Sequence, residues 1–77
     1  MNEQELKKRY EAYTDCWKFF KKWCEPKTDD DWEQLLKEAA ELRKKDEDME
    51  LRKRLITETV LEINRLAKER RNEKRRN

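Results

Sequence analysis

The residues best equipped for chemistry stand in one stretch, Cys16-Trp17-Lys18-Phe19-Phe20-Lys21-Lys22-Trp23-Cys24, where two thiols bracket four large aromatic side chains. Two thiols offer a disulfide, a metal site or a redox pair. Eight positions along a helix is about 12 Å of rise, and a disulfide needs Cα atoms within about 7 Å, so Cys16 and Cys24 do not bridge while that stretch is helical. A zinc site takes about four ligands, commonly Cys and His at short spacings. The chain has no His and no Cys-x-x-Cys. A redox thiol wants a lowered pKa, which nearby lysines supply only weakly. The pattern points to inert, buried thiols, with a bridge between chains on oxidation as the residual chemistry.

The other candidates are acidic. Asp29, Asp30 and Asp31 follow Thr28, and three carboxylates in a row suggest a cation. A calcium loop, however, alternates its ligands around a Gly and ends on a distant Glu, a frame this chain lacks. The plainer role is at a helix start, where carboxylates satisfy free N–H groups and complement the dipole. Thr28 or Asp30 can cap, and Asp30 with Glu33 has capping-box spacing. Nucleophilic catalysis needs an activated side chain and a base to hold it; Ser and His are absent, and so is any Gly to cradle a phosphate. Three thin helices also leave little room for a closed pocket. The expectation is no enzyme, no metal, no cofactor and no small-molecule substrate.

The elements that carry these residues are helical. Charged residues make up 52% of the 77 and the hydrophobic class only 34%, a balance that leans towards disorder, but the apolar positions are periodic. With no Gly, one Pro and abundant Glu, Lys, Arg and Leu, the chain has helix formers and lacks turn residues for a sheet. Leu6, Tyr10, Tyr13, Trp17, Phe20 and Cys24 are spaced alternately four and three apart, one sustained apolar seam. Ala12, Cys16, Phe19 and Trp23 form a second seam beside it. Two adjacent seams call for two neighbouring helices, so this stretch reads as core, with Phe19 and Trp23 at its outer edge.

The fold class predicted is all-α, a compact three-helix bundle with helices over about 3–24, 29–45 and 48–73 in a single domain. Glu25 before Pro26 ends the first helix. Trp32, Leu35, Leu36, Ala39 and Leu42 line the second. Arg43, Lys44 and Lys45 close it, and Asp46, Glu47, Asp48 and Glu50 open the third, the dipole-matched signs of a break near 45–48. Met49, Ile56, Val60, Ile63 and Ala67 form the third stripe. The alternative is a helical hairpin whose long second helix dimerises as a coiled coil, since one heptad frame runs from Leu35 through Ala67. That frame places Asp46 and Lys53 in its seam, where burying charge is costly.

The end of the chain is basic. From Arg65 onward seven Lys and Arg stand against two Glu, a net of +5 in a chain whose total is +2, which leaves −3 for the rest. From about 67 to 77 the helix continues past its apolar stripe. Arg65, Lys68, Arg71 and Arg75 recur at three- and four-residue spacing and are the candidate nucleic-acid contacts, acting on phosphates. The plainer role is a solvated tail complementing the helix C-terminus. No apolar run reaches the length that spans a bilayer, and the first ten residues form no signal peptide. No membrane association and a cytoplasmic location are expected.

W-K-F-F-K-K at 17–22, D-D-W-E-Q-L-L-K-E-A at 30–39 and L-I-T-E-T-V-L-E-I-N-R-L at 55–66 resemble small uncharacterised three-helix proteins of bacterial prophages and other mobile elements. The resemblance spans about residues 6 to 66 and rests on aromatic and Leu positions. It implies a compact three-helix unit and brings no activity and no functional residue. Where such proteins tend to carry a looser, often Gly-containing turn between the second and third helices, this chain has K-K-D-E-D-M.

The function expected is non-enzymatic protein–protein interaction, as a homo-oligomer or as an accessory or inhibitor protein of a mobile element. The alternative is nucleic-acid association through the basic end. The candidate interface is Phe19, Trp23, Leu51 and Leu61, an excess of apolar surface on a domain small enough to gain from association. Phe19→Glu and Leu61→Glu are expected to dissolve such an assembly while keeping helicity.

Overall fold

The computed structural model describes residues 1–45 and 49–76, with side chains through residue 71. Three helices follow one another: α1 (Glu3–Trp23), α2 (Asp29–Lys44) and α3 (Glu50–Arg76). α1 and α2 each begin where a side chain replaces a missing backbone partner. Asn2 caps α1 by accepting from the Glu5 N–H at 2.8 Å. Thr28 caps α2 in a reciprocal box: its Oγ1 accepts from the Asp31 N–H at 3.1 Å, and Asp31 Oδ2 accepts from the Thr28 N–H at 3.2 Å. Asp31 also takes the Lys27 N–H at 2.9 Å. The box is thus Thr28 with Asp31, not Asp30 with Glu33. With three backbone or hydroxyl donors around it, the Asp31 carboxyl is held below its ordinary pKa, chiefly by the Lys27 and Thr28 N–H groups.

α2 ends at Lys44, and the Lys45 N–H returns to the Leu42 carbonyl at 3.3 Å. α3 begins at Glu50 and packs back against α2. The second and third elements are therefore separate helices, not one long helix of a hairpin. The turn expected near 45–48 falls mostly on residues 46–48, which lie outside the described residues.

The chain direction follows from the cross-links. Asp15 meets Arg52, and Glu25 meets Arg70, so α1 and α3 run parallel. Glu38 meets Lys22, and Lys45 meets Asp15, so α2 runs against both. The core is Phe19, Leu35, Ala39, Ile56 and Ile63, with Cys16, Phe20, Trp23, Trp32, Leu42 and Val60 packed around it. Burial of a large apolar side chain contributes roughly 1.5–3 kcal/mol, so Phe19, Leu35, Ile56 and Ile63 supply much of the cohesion.

The two seams of α1 are used in the reverse of the expected order. The second seam faces inward: Ala12 is fully buried and Phe19 is 2% exposed. The longer seam faces out over its first four members, Leu6, Tyr10, Tyr13 and Trp17, while Phe20 packs against the core. The cause is how closely α1 approaches α3. Small residues at Ala12 and Cys16 allow near contact. Thr59 donates to the Leu55 carbonyl at 2.6 Å, which leaves its hydroxyl oxygen to meet the Cys16 Sγ at 2.8 Å. Bulky Tyr and Trp in those places would hold the helices apart.

Arg52, a cation on the apolar face of α3 three residues after Met49 and four before Ile56, is fully buried. Its Nη1 donates to Asp15 Oδ2 at 2.7 Å, and Lys45 Nζ reaches the same oxygen at 3.3 Å. This cluster ties α1 to α3 and to the end of α2.

Candidate protein interface

The exposed stripe on α1 comprises Leu6, Tyr10, Tyr13 and Trp17, with Tyr10 71% and Trp17 58% exposed. A helix repeats every 3.6 residues, so four-three-four spacing keeps these side chains in one nearly straight row. Single exposed apolar residues are ordinary, whereas a contiguous row is not.

At its C-terminal end the stripe becomes the wall of a groove between α1 and α3, with a volume of about 370 Å³. Tyr13, Trp17 and Phe20 form the α1 side, and Leu55 the α3 side. Cys16 and Thr59 make the floor, and Glu58 and Glu62 stand on the α3 edge. The Trp17 and Phe20 rings stack with centroids 6.3 Å apart, and Lys21 Nζ lies 5.8 Å over the Trp17 ring. Glu62 is engaged by Arg65 at 2.6 and 2.9 Å, and that guanidinium holds its carboxyl below the ordinary pKa. Glu58 makes no ion pair among the described residues.

The four residues expected at an interface are not brought together. Phe19 is core, so its proposed exposure is corrected. Trp23 is half-buried: its indole N–H donates to Glu38 of α2, and Lys22 Nζ lies 5.2 Å over its ring. Leu51 is half-buried. Leu61 is exposed but lies outside the groove. Tyr10, Tyr13 and Trp17 were legible only as core. The available signal was a surplus, since one helix of a small bundle cannot bury two full seams.

The basic residues divide as well. Arg65 is held between Glu62 and Glu69 on its own helix, and Glu62 above all raises its pKa over the ordinary arginine value. Arg70 reaches Glu25 at 3.5 Å and the Cys24 carbonyl at 3.4 Å. Lys68 and Arg71 are exposed. Arg71 lines a second, larger hollow of about 750 Å³ that also includes Lys27, Trp32 and Arg70. Arg75 lies in α3, with its side chain outside the described residues.

Neither cysteine is in a disulfide. Among the described residues, no group of three or more His, Cys, Asp and Glu could hold a metal ion, and no helix is long and apolar enough to cross a membrane. The chain matches no family model, no curated protein and no solved structure. The likeness to prophage proteins rests on the quoted sequence segments alone.

Proposed function

We propose that this protein works by protein–protein interaction, without catalysis, and that its interface is the exposed stripe of α1. The observation that carries the reading is the row Leu6, Tyr10, Tyr13 and Trp17, exposed at heptad spacing beside an apolar groove. Heptad spacing favours a helix as partner, because its knobs enter the gaps between such residues. Tyr and Trp are also the side chains that most often dominate binding energy at interfaces.

The nucleic-acid reading has less support. Arg65 and Arg70 are already paired with carboxylates, which removes them from the charge a phosphate backbone would meet. An accessory role in a mobile element would fit an interaction module, and it rests on the sequence resemblance.

The test is the double variant Tyr13→Glu/Trp17→Glu. Both positions are exposed, so the variant keeps its helicity by circular dichroism. Association of the chain, with itself or with a foreign protein, is expected to vanish. Association equal to that of the parent would overturn the stripe as the interface.

A further inference from the structure

The N-terminal half of the stripe and the groove that its C-terminal half walls are complementary. Residues 1–10 are all exposed. Asp15 is level with Arg52, and α3 starts only at Glu50, so the first turns of α1 project past the beginning of α3. This projecting segment carries Leu6 and Tyr10 on the stripe. Arg9 lies seven residues before Cys16, on the same side of α1 that turns towards α3. The groove is apolar within and acidic at its edge, where Glu58 makes no ion pair among the described residues.

The spacing of the stripe is nearly palindromic about Tyr13. When α1 is laid antiparallel on itself through that residue, Leu6 comes opposite Phe20 and Tyr10 within one position of Trp17. Arg9 then arrives level with Trp17 of the other copy, beside the α3 edge of the groove where Glu58 and Glu62 stand. A symmetric pair makes this contact twice. We infer that the occupant of the stripe is a second copy of this chain, docked antiparallel along α1 with its projecting N-terminal turns in the α1–α3 groove. The inference rests on the interaction reading above and specifies the partner.

A parallel pair would set projecting segment against projecting segment and leave Arg9 far from both carboxylates. The antiparallel pair brings Glu5 level with Lys21 of the other copy and Lys7 two positions away from it. Lys7 and Lys21 lie on the open edge, where like charges in water cost little, and Lys21 already leans over Trp17. Charge therefore favours the antiparallel form: an acidic groove needs a basic, apolar helix, and every copy presents one.

The experiment is light scattering on the full chain in reducing buffer across a concentration series, with charge variants and a cross-linking pair. The parent is expected to dimerise. Arg9→Glu and Glu58→Arg should each weaken the dimer by about tenfold, since attraction becomes repulsion at two symmetric sites, and Arg9→Glu/Glu58→Arg should restore most of the loss. In a Cys16→Ser/Cys24→Ser background, Tyr13→Cys should form a disulfide-linked dimer on oxidation and Tyr10→Cys should not. A parent that stays monomeric up to about 1 mM, an affinity too weak for a specific dimer, would overturn the inference. So would cross-linking through Tyr10→Cys instead. A monomer that still binds a foreign protein, with binding lost in Tyr13→Glu/Trp17→Glu, defeats the second copy alone. Association indifferent to that double variant defeats the interaction reading as well.

Discussion

Asp15 of α1 accepts a hydrogen bond from the buried guanidinium of Arg52 at 2.7 Å, and Lys45 at the end of α2 reaches the same carboxylate oxygen at 3.3 Å. One side chain thereby ties α1 to α3 and to the end of α2, with the second seam turned inward. Removing the anion leaves a buried cation less well compensated, whereas removing the cation leaves a carboxylate that water can still reach. Asp15→Asn is therefore expected to lose about 2 kcal/mol and Arg52→Met less, as buried pairs respond more to breaking than to apolar replacement. Urea unfolding of both variants checks the order; an equal or reversed order would show that the pair is not the constraint.

The same pair sets a response to acid. Burial pushes the Asp15 pKa up, but hydrogen bonds from Arg52 and Lys45 and their charges outweigh it, so the carboxyl ends below its ordinary 3.8. A carboxyl lowered on folding stabilises fully above its unfolded pKa, and the gain is lost as pH falls through the folded value. Asp31 and Glu62 shift in the same direction. Urea midpoints should be flat from neutrality down to about pH 5 and then fall. The gap between the parent and Asp15→Asn should close below pH 3.8. A gap that persists at the acid end would assign the loss to packing.

The exchange of seams can be tested by paired truncations. Phe19→Ala empties a core position and is expected to cost about 3 kcal/mol. Tyr10→Ala and Leu61→Ala, at exposed positions, should remain within about 0.5 kcal/mol of the parent when measured on the monomer. Phe19→Glu, which the sequence suggested as an interface probe, should unfold the chain, because it places a charge in the core. Circular dichroism and urea titration decide, and comparable losses at Tyr10 and Phe19 would mean that both seams are buried.

The start of α2 depends on Thr28. Thr28→Ala removes the hydroxyl that receives the Asp31 N–H and should destabilise by about 1 kcal/mol. Thr28→Ser should recover most of that. Hydrogen exchange at Asp31 and Trp32 gives a local readout, and unchanged protection in the alanine variant would mean that the cap is dispensable.

Much of the architecture could be read from spacing alone. Pro26 after Glu25, the Thr-Asp run at 28–31 and the sign change after Lys45 mark where helices stop and start, because dipoles and unpaired backbone groups act over a single turn. The stripe of Ile56 and Ile63 was equally plain, since only apolar burial explains that period on so charged a helix. The stripe was legible as a seam but not as a surface, and none of the residues expected at an interface, Phe19, Trp23, Leu51 and Leu61, lies on it. Periodicity shows which side chains share a face, and α1 has two such faces of similar strength.

The sequence by itself determined an all-α chain, the break at Pro26 and the cap at the start of the helix after it, and an apolar surplus on the first helix. Only the tertiary structure decided that Ala12, Cys16 and Phe19 face the core while Tyr10, Tyr13 and Trp17 face out. That choice depends on how closely α1 can approach α3, and it goes with Asp15 meeting a buried Arg52 thirty-seven residues away. Contacts at that distance along the chain leave no period in the sequence. They arise from the fit of one helix surface against another.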